Sequence, residues 1–98
     1  GFTPGNNGTS VIIPIPPLSE ERRKELTRFV HKLIEEGRIA VRNVRRDAIH
    51  HLHDYGKDEH ISEDEIKRRD NDIQKLTDDH ISNLNKLQEE KEKDIMEI

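Results

Sequence analysis

Residues 19–56 read SEERRKELTRFVHKLIEEGRIAVRNVRRDAIHHLHDYG, and this stretch decides the fold. Ser19 is a good N-cap, and Glu20 and Glu21 suit a first helical turn, where backbone N–H groups point outward. Arg22 stands where a capping box would place an acid. Leu26, Phe29/Val30, Leu33, Ala40, Val41, Val44, Ala48, Leu52 and Tyr55 recur at three- and four-residue steps, which predicts one long amphipathic helix. Gly37 interrupts it at a cost of ~1 kcal/mol relative to Ala. Close packing against a neighbouring helix explains it better than a hinge. Gly56 supplies a residue suited to a left-handed C′ position, so the helix is expected over 19–56.

Working outward, Lys57–Ile61 is the connection. Ser62 and Glu65 have capping-box spacing and start a second helix, expected over 62–98. Its stripe runs through Ile66, Ile73, Leu76, Thr77, His80, Ile81, Leu84, Leu87, Met96 and Ile98. Two long helices with a short connection make an antiparallel hairpin. Phe29 with Val30, Leu33 with Ile34, and Ala40 with Val41 widen the first stripe beyond a two-helix seam. A third helix would cover the surplus, either from outside this chain or from a second copy of it. Residues 1–18 differ. Turn formers Pro4, Gly5, Asn6, Asn7 and Gly8 precede a β-branched run, Val11–Ile13, that Pro14, Pro16 and Pro17 terminate. A lone strand is unstable, so its partners are expected elsewhere.

Composition narrows the function. Charged residues are 39% of the 98 and apolar ones 30%, too few to wrap a large spherical core. No apolar run nears the ~20 residues of a membrane span, and no secretory signal pattern opens the chain. The missing initiator Met suggests a fragment. Without cysteine there is no disulfide, thiol catalysis or zinc–thiolate site. Net charge is −4 but unevenly spread: residues 1–49 hold nine Lys/Arg against six Asp/Glu, and the rest hold eight against fifteen. The basic half is suited to a polyanion, although solvated helix faces give the same pattern.

The sharpest local feature is Arg38, Arg42, Arg45 and Arg46, with Asn43 among them. Spacings of four and three place Arg38, Arg42 and Arg45 on one face. With Ala40, Val41, Val44 and Ala48 assigned to the core, these arginines are expected to project outward. Arginine binds phosphate well because its planar fork reaches two oxygens. The plainer reading is a solubilising face whose stems cover apolar surface. Aromatics are 3%, so backbone recognition suits the face better than base stacking. The six histidines include His50 and His53, three apart, with Asp54 nearby. Nothing specifies further metal ligands, so a solvated, pH-sensitive helix end is the better reading. Asp70–Asp72 lacks the glycine of a calcium loop. Ser10, Ser19, Ser62 and Ser82 have turn, cap or surface roles. Nothing here argues for an active site, and no cofactor is implied.

Several runs, in one order, closely resemble the ribosome recycling factor family. They are Ile13-Pro14-Ile15-Pro16-Pro17-Leu18-Ser19-Glu20-Glu21-Arg22-Arg23-Lys24, Ala40-Val41-Arg42-Asn43-Val44-Arg45-Arg46-Asp47-Ala48, Ile61-Ser62-Glu63-Asp64-Glu65 and Gln74-Lys75-Leu76-Thr77-Asp78. The resemblance implies an L of two domains, a three-helix bundle and a small β/α domain joined by hinge strands. Residues 19–98 would be the second and third bundle helices. Residues 1–18 would be the tail of the small domain and the hinge, with Pro16, Pro17 and Leu18 as hinge positions. It further implies a non-enzymatic translation factor that binds the large ribosomal subunit after termination. With elongation factor G and GTP, such a factor separates the subunits. Arg42 and Arg45 would be the main contacts to large-subunit RNA, with Arg38, Asn43 and Arg46 beside them. Gly37 departs from the alanine expected there. The implied location is the bacterial cytoplasm, or an organellar matrix or stroma. As a fragment, the chain could self-associate through its uncovered stripe. The competing reading is a protein-binding helical hairpin without RNA affinity.

Overall fold

The structure, a computed structural model, describes residues 18–97. They form a hairpin of two helices, α1 at Glu20–Asp58 and α2 at Glu63–Glu97. At 1.5 Å per residue these are about 58 and about 52 Å long. The expected strand at Val11–Ile13, Pro16, Pro17 and Ile98 lie outside the described residues.

Both serine caps form. The Ser19 hydroxyl accepts the Arg22 N–H at 3.1 Å, and its carbonyl accepts the Arg23 N–H at 3.0 Å. The Ser62 hydroxyl accepts the Glu65 N–H at 3.2 Å. Glu65 turns its carboxylate forward along α2, to Arg68 at 2.9 Å and Arg69 at 3.1 Å.

The end of α1 differs from the sequence expectation. Gly56 lies within the helix, and the left-handed residue is His60, with φ of 56°. The Ile61 N–H reaches back to the Gly56 carbonyl at 2.9 Å, and the His60 N–H to the Lys57 carbonyl at 3.4 Å. This is the Schellman pattern, with His60 at C′ and Ile61 as the apolar residue after it. A side chain in that conformation costs roughly 1–2 kcal/mol, which glycine avoids. His60→Gly is therefore expected to raise stability by about 0.5–1 kcal/mol, read as a higher urea midpoint with an unchanged m-value.

Gly56 is buried because α2 crosses it. A Cβ there would meet Ile66 Cδ1 at 2.5 Å and Cγ1 at 3.0 Å. At Gly37 a Cβ would sit 3.4–3.5 Å from the Leu84 methyls, an ordinary contact. The two glycines should respond with opposite signs. Gly37→Ala gains helix propensity and is expected to stabilise by about 0.5–1 kcal/mol. Gly56→Ala must displace Ile66, and overpacking of roughly 1–3 kcal/mol outweighs the propensity gain. Urea midpoints moving in opposite directions would verify the pair.

Buried and half-buried side chains mark the seam, Ile34, Val41, Ala48 and Leu52 on α1 and Ile66, Ile73, Thr77, Ile81, Leu84 and Ile95 on α2. Of the described residues only Ile34, Gly56, Thr77 and Ile95 are buried. Thr77 satisfies its hydroxyl by donating to the Ile73 carbonyl at 2.8 Å. Ala40 and Val44, expected in the core, are exposed, Val44 by 67%. They flank the seam on an open side of the hairpin. Phe29, Leu33 and Leu76 are likewise half or more exposed. Ala40, Val41, Val44, Ala48, Ile73, Leu76, Thr77 and His80 line one depression of about 340 Å³ there, with Arg45 at its edge. Gly37, Val41, His80, Leu84 and Leu87 line the next, of about 410 Å³. Val41 and His80 belong to both, so the two form a continuous apolar groove along the hairpin.

Candidate nucleic-acid interface

The arginines begin at the edge of this groove, which Arg45 helps to line, and continue around α1 to the exposed Arg42 and Arg46. Their three–four spacing continues the seam itself, Ile34–Arg38–Val41–Arg45–Ala48, so two of them are drawn against α2. The expectation that all project freely outward is thereby corrected. Arg45 is half-buried, and its Nη1 donates to Gln74 Oε1 at 3.1 Å while its Nε is buried without a partner. Arg38 donates from Nε and Nη2 to Asn85 Oδ1, at 3.0 and 2.8 Å, and from Nη2 to Gln88 Oε1 at 3.1 Å. Glu35 approaches Arg38 Nη1 only to 3.7 Å. Arg42 and Arg46 are exposed, and Arg46 Nη1 donates to the exposed Asn43 at 3.0 Å. The flank thus carries two ordered and two solvent-facing guanidinium groups within about two and a half helical turns. It suits phosphate oxygens, which arginine binds through two parallel donors.

The histidines do not gather into a metal site. His53 bridges to Asp70 of α2 at 2.8 Å, and His31 to Glu92 at 3.0 Å. His50 meets Asp54 within α1 at 3.3 Å. Among the described residues no group of three or more His, Asp or Glu is placed to hold a metal ion. The His31 hydrogen bond, with a second from Gln88, holds the Glu92 carboxyl below the usual glutamate range. A carboxylate so depressed stabilises the hairpin above the ordinary glutamate range, and the contribution fades as pH falls through the lowered value. Glu92→Gln is accordingly expected to flatten the acid limb of a stability-versus-pH profile and to leave neutral-pH cooperativity intact.

Of the expected hinge, Leu18 is described. Its carbonyl accepts from Arg23 Nε at 3.2 Å, while Arg23 Nη1 donates to the Met96 carbonyl at 3.1 Å. Arg23, which the sequence reading did not single out, thus ties the entry of α1 to the end of α2. No helix of the described residues is long and apolar enough to cross a membrane.

Comparison with known proteins agrees along the chain. A family model described as ribosome recycling factor matches residues 1–96. A ribosome-recycling factor of Geobacillus sp. (strain WCH70) is 49% identical over all 98 residues, which span 53% of that relative. Those of Thermosynechococcus vestitus and Thermus thermophilus are 50% identical over 98 residues and 49% over 96. The chain covers 54% and 52% of their lengths, so it spans about half of the curated relatives it matches. With a helical hairpin, a match over nearly every residue and about half of all positions identical, the chain belongs to the ribosome recycling factor family.

Proposed function

We propose that this chain is the RNA-facing part of a factor that binds the large ribosomal subunit after termination and, with elongation factor G and GTP, promotes subunit separation. The factor makes and breaks no bond itself. Its arginine flank meets ribosomal RNA, with Arg42 and Arg45 as principal contacts and Arg38, Asn43 and Arg46 beside them. Pro16, Pro17 and Leu18 are the hinge between residues 1–18, the tail of a small β/α domain, and the helices. α1 and α2 are two helices of a three-helix bundle, and the third, from the remaining half of the full-length protein, fills the groove over Ala40, Val44 and Leu76. The location is the bacterial cytoplasm, with an organelle of bacterial descent as the alternative.

One observation carries the RNA reading. Arg38 and Arg45 are opposed by amide oxygens of α2 rather than by its carboxylates. Among the described residues the only acid against either is Glu35 of α1, at 3.7 Å from Arg38, so most of their charge stays available to a polyanion. The test is a light-scattering assay of subunit separation on post-termination ribosomes with elongation factor G and GTP. Separation that requires the full-length protein is expected. Ribosomes left intact would instead favour a protein-binding hairpin, for which the open apolar groove is the supporting feature.

A further inference from the structure

α2 is an acidic helix, with twelve Asp/Glu and seven Lys/Arg between residues 63 and 97. Its choice of partners across the seam is nevertheless selective. The α1 histidines His31 and His53 receive carboxylates, Glu92 and Asp70. The arginines Arg38 and Arg45, on the same flank, receive neutral amides from α2, Asn85 with Gln88 and Gln74. Among the described residues the one carboxylate near either is Glu35 of α1, at a loose 3.7 Å from Arg38 Nη1. A third of α2 is acidic, so amides opposite both arginines are not the composition's default.

The chemistry of that choice is specific. A carboxylate would order a guanidinium but also cancel its charge. An amide oxygen orders it and leaves the charge whole. Ordering matters, because a free arginine side chain gives up ~2 kcal/mol of rotamer entropy on being fixed. Gln74 is itself held: its Nε2 donates to Asp78 Oδ1 at 2.9 Å, which turns its carbonyl toward Arg45. Asp78 therefore sits one amide away from the arginine instead of on it. Arg38 and Arg45 are seven residues apart, so their anchored forks stand about 10.5 Å from each other along α1.

We infer that Gln74 and Asn85, with Gln88 beside Asn85, are positioning residues for the anion-binding face. They hold Arg45 and Arg38 in place for phosphate without neutralising them. This rests on the RNA-binding reading above and adds to it a role for α2.

The test is a salt series of binding to purified large ribosomal subunits, using full-length protein bearing Gln74→Glu or Asn85→Asp. Each substitution keeps the acceptor and adds a negative charge beside its arginine. Each is expected to weaken binding about threefold to tenfold at low salt. Each should also reduce the magnitude of the log–log salt slope by somewhat under one unit, the effect of losing about one phosphate contact. The urea midpoint of Asn85→Asp should hold or rise, because an ion pair replaces a neutral hydrogen bond across the hairpin. Gln74→Glu also gives up its donor to Asp78 and sets two carboxylates side by side, so its midpoint should hold or fall slightly. A purely structural role predicts the same midpoints with an unchanged slope. That outcome, with Arg38→Ala and Arg45→Ala still lowering the slope, would overturn the inference and spare the RNA reading. Unchanged binding by the two alanine variants themselves would overturn both.

Discussion

Leu76→Asp is expected to destabilise the full-length protein by about 3 kcal/mol or more, while leaving the 98-residue chain by itself within about 0.5 kcal/mol of wild type. The contrast follows from where Leu76 sits. Its side chain is 60% exposed on α2 and lines the apolar groove opposite Ala40 and Val44. In the hairpin alone, a carboxylate there stays in water. Beneath a third helix, the same carboxylate loses its hydration and an apolar contact together, each worth on the order of kilocalories. Ile39→Asp is the control. Ile39 is 50% exposed, but it lines neither part of the groove. Equal destabilisation of both variants in the full-length protein, read by urea unfolding, would contradict the proposed third helix.

Arg42→Ala combined with Arg45→Ala should lower affinity for large ribosomal subunits by about 100-fold at low salt. Charge-assisted hydrogen bonds contribute roughly 1.5–3 kcal/mol each, and about 1.4 kcal/mol is a factor of ten. The two arginines should not fail alike. Arg42 is exposed, so Arg42→Lys retains a mobile charge and a good part of the binding. Arg45 is half-buried and anchored by Gln74, so Arg45→Lys loses the fork geometry and should resemble Arg45→Ala. The double variant must keep its helical circular dichroism, because Arg45 also covers apolar surface with its stem. A similar loss for both lysine variants would contradict the distinction drawn from their environments.

The hairpin was legible because its signals are local. Ser19 and Ser62 announce both helix starts, and the apolar steps between them have only a helical reading. The turn was less legible. A glycine near a helix end usually takes the left-handed position, but Gly56 is small for another reason: Ile66 of α2 packs where its Cβ would be. The turn conformation fell to His60, and the available hint was Ile61, the apolar residue that follows a Schellman turn.

The packed face of α1 lies about a quarter-turn from the one its apolar residues suggest. Val41 and Val44 are one helical turn apart, and either could center the seam when two apolar flanks lie side by side. Only the register of α2 decides that Arg38 and Arg45 meet amides 29 to 50 residues away while Val44 faces the groove. The same register hides the Gln74–Arg45 and Asn85–Arg38 pairs from any local pattern. The arginine cluster was visible as a motif, whereas its anchoring was not.

This flank is proposed to bind ribosomal RNA through phosphate contacts. Co-sedimentation of the full-length protein with large ribosomal subunits, across a salt series, tests it most directly. Each phosphate neutralised contributes ~0.7–0.9 to the slope of log affinity against log salt. The account predicts a steep slope for wild type, shallower by about 1.5 for the Arg42→Ala/Arg45→Ala variant. Identical slopes and identical pelleting for the two proteins would contradict it.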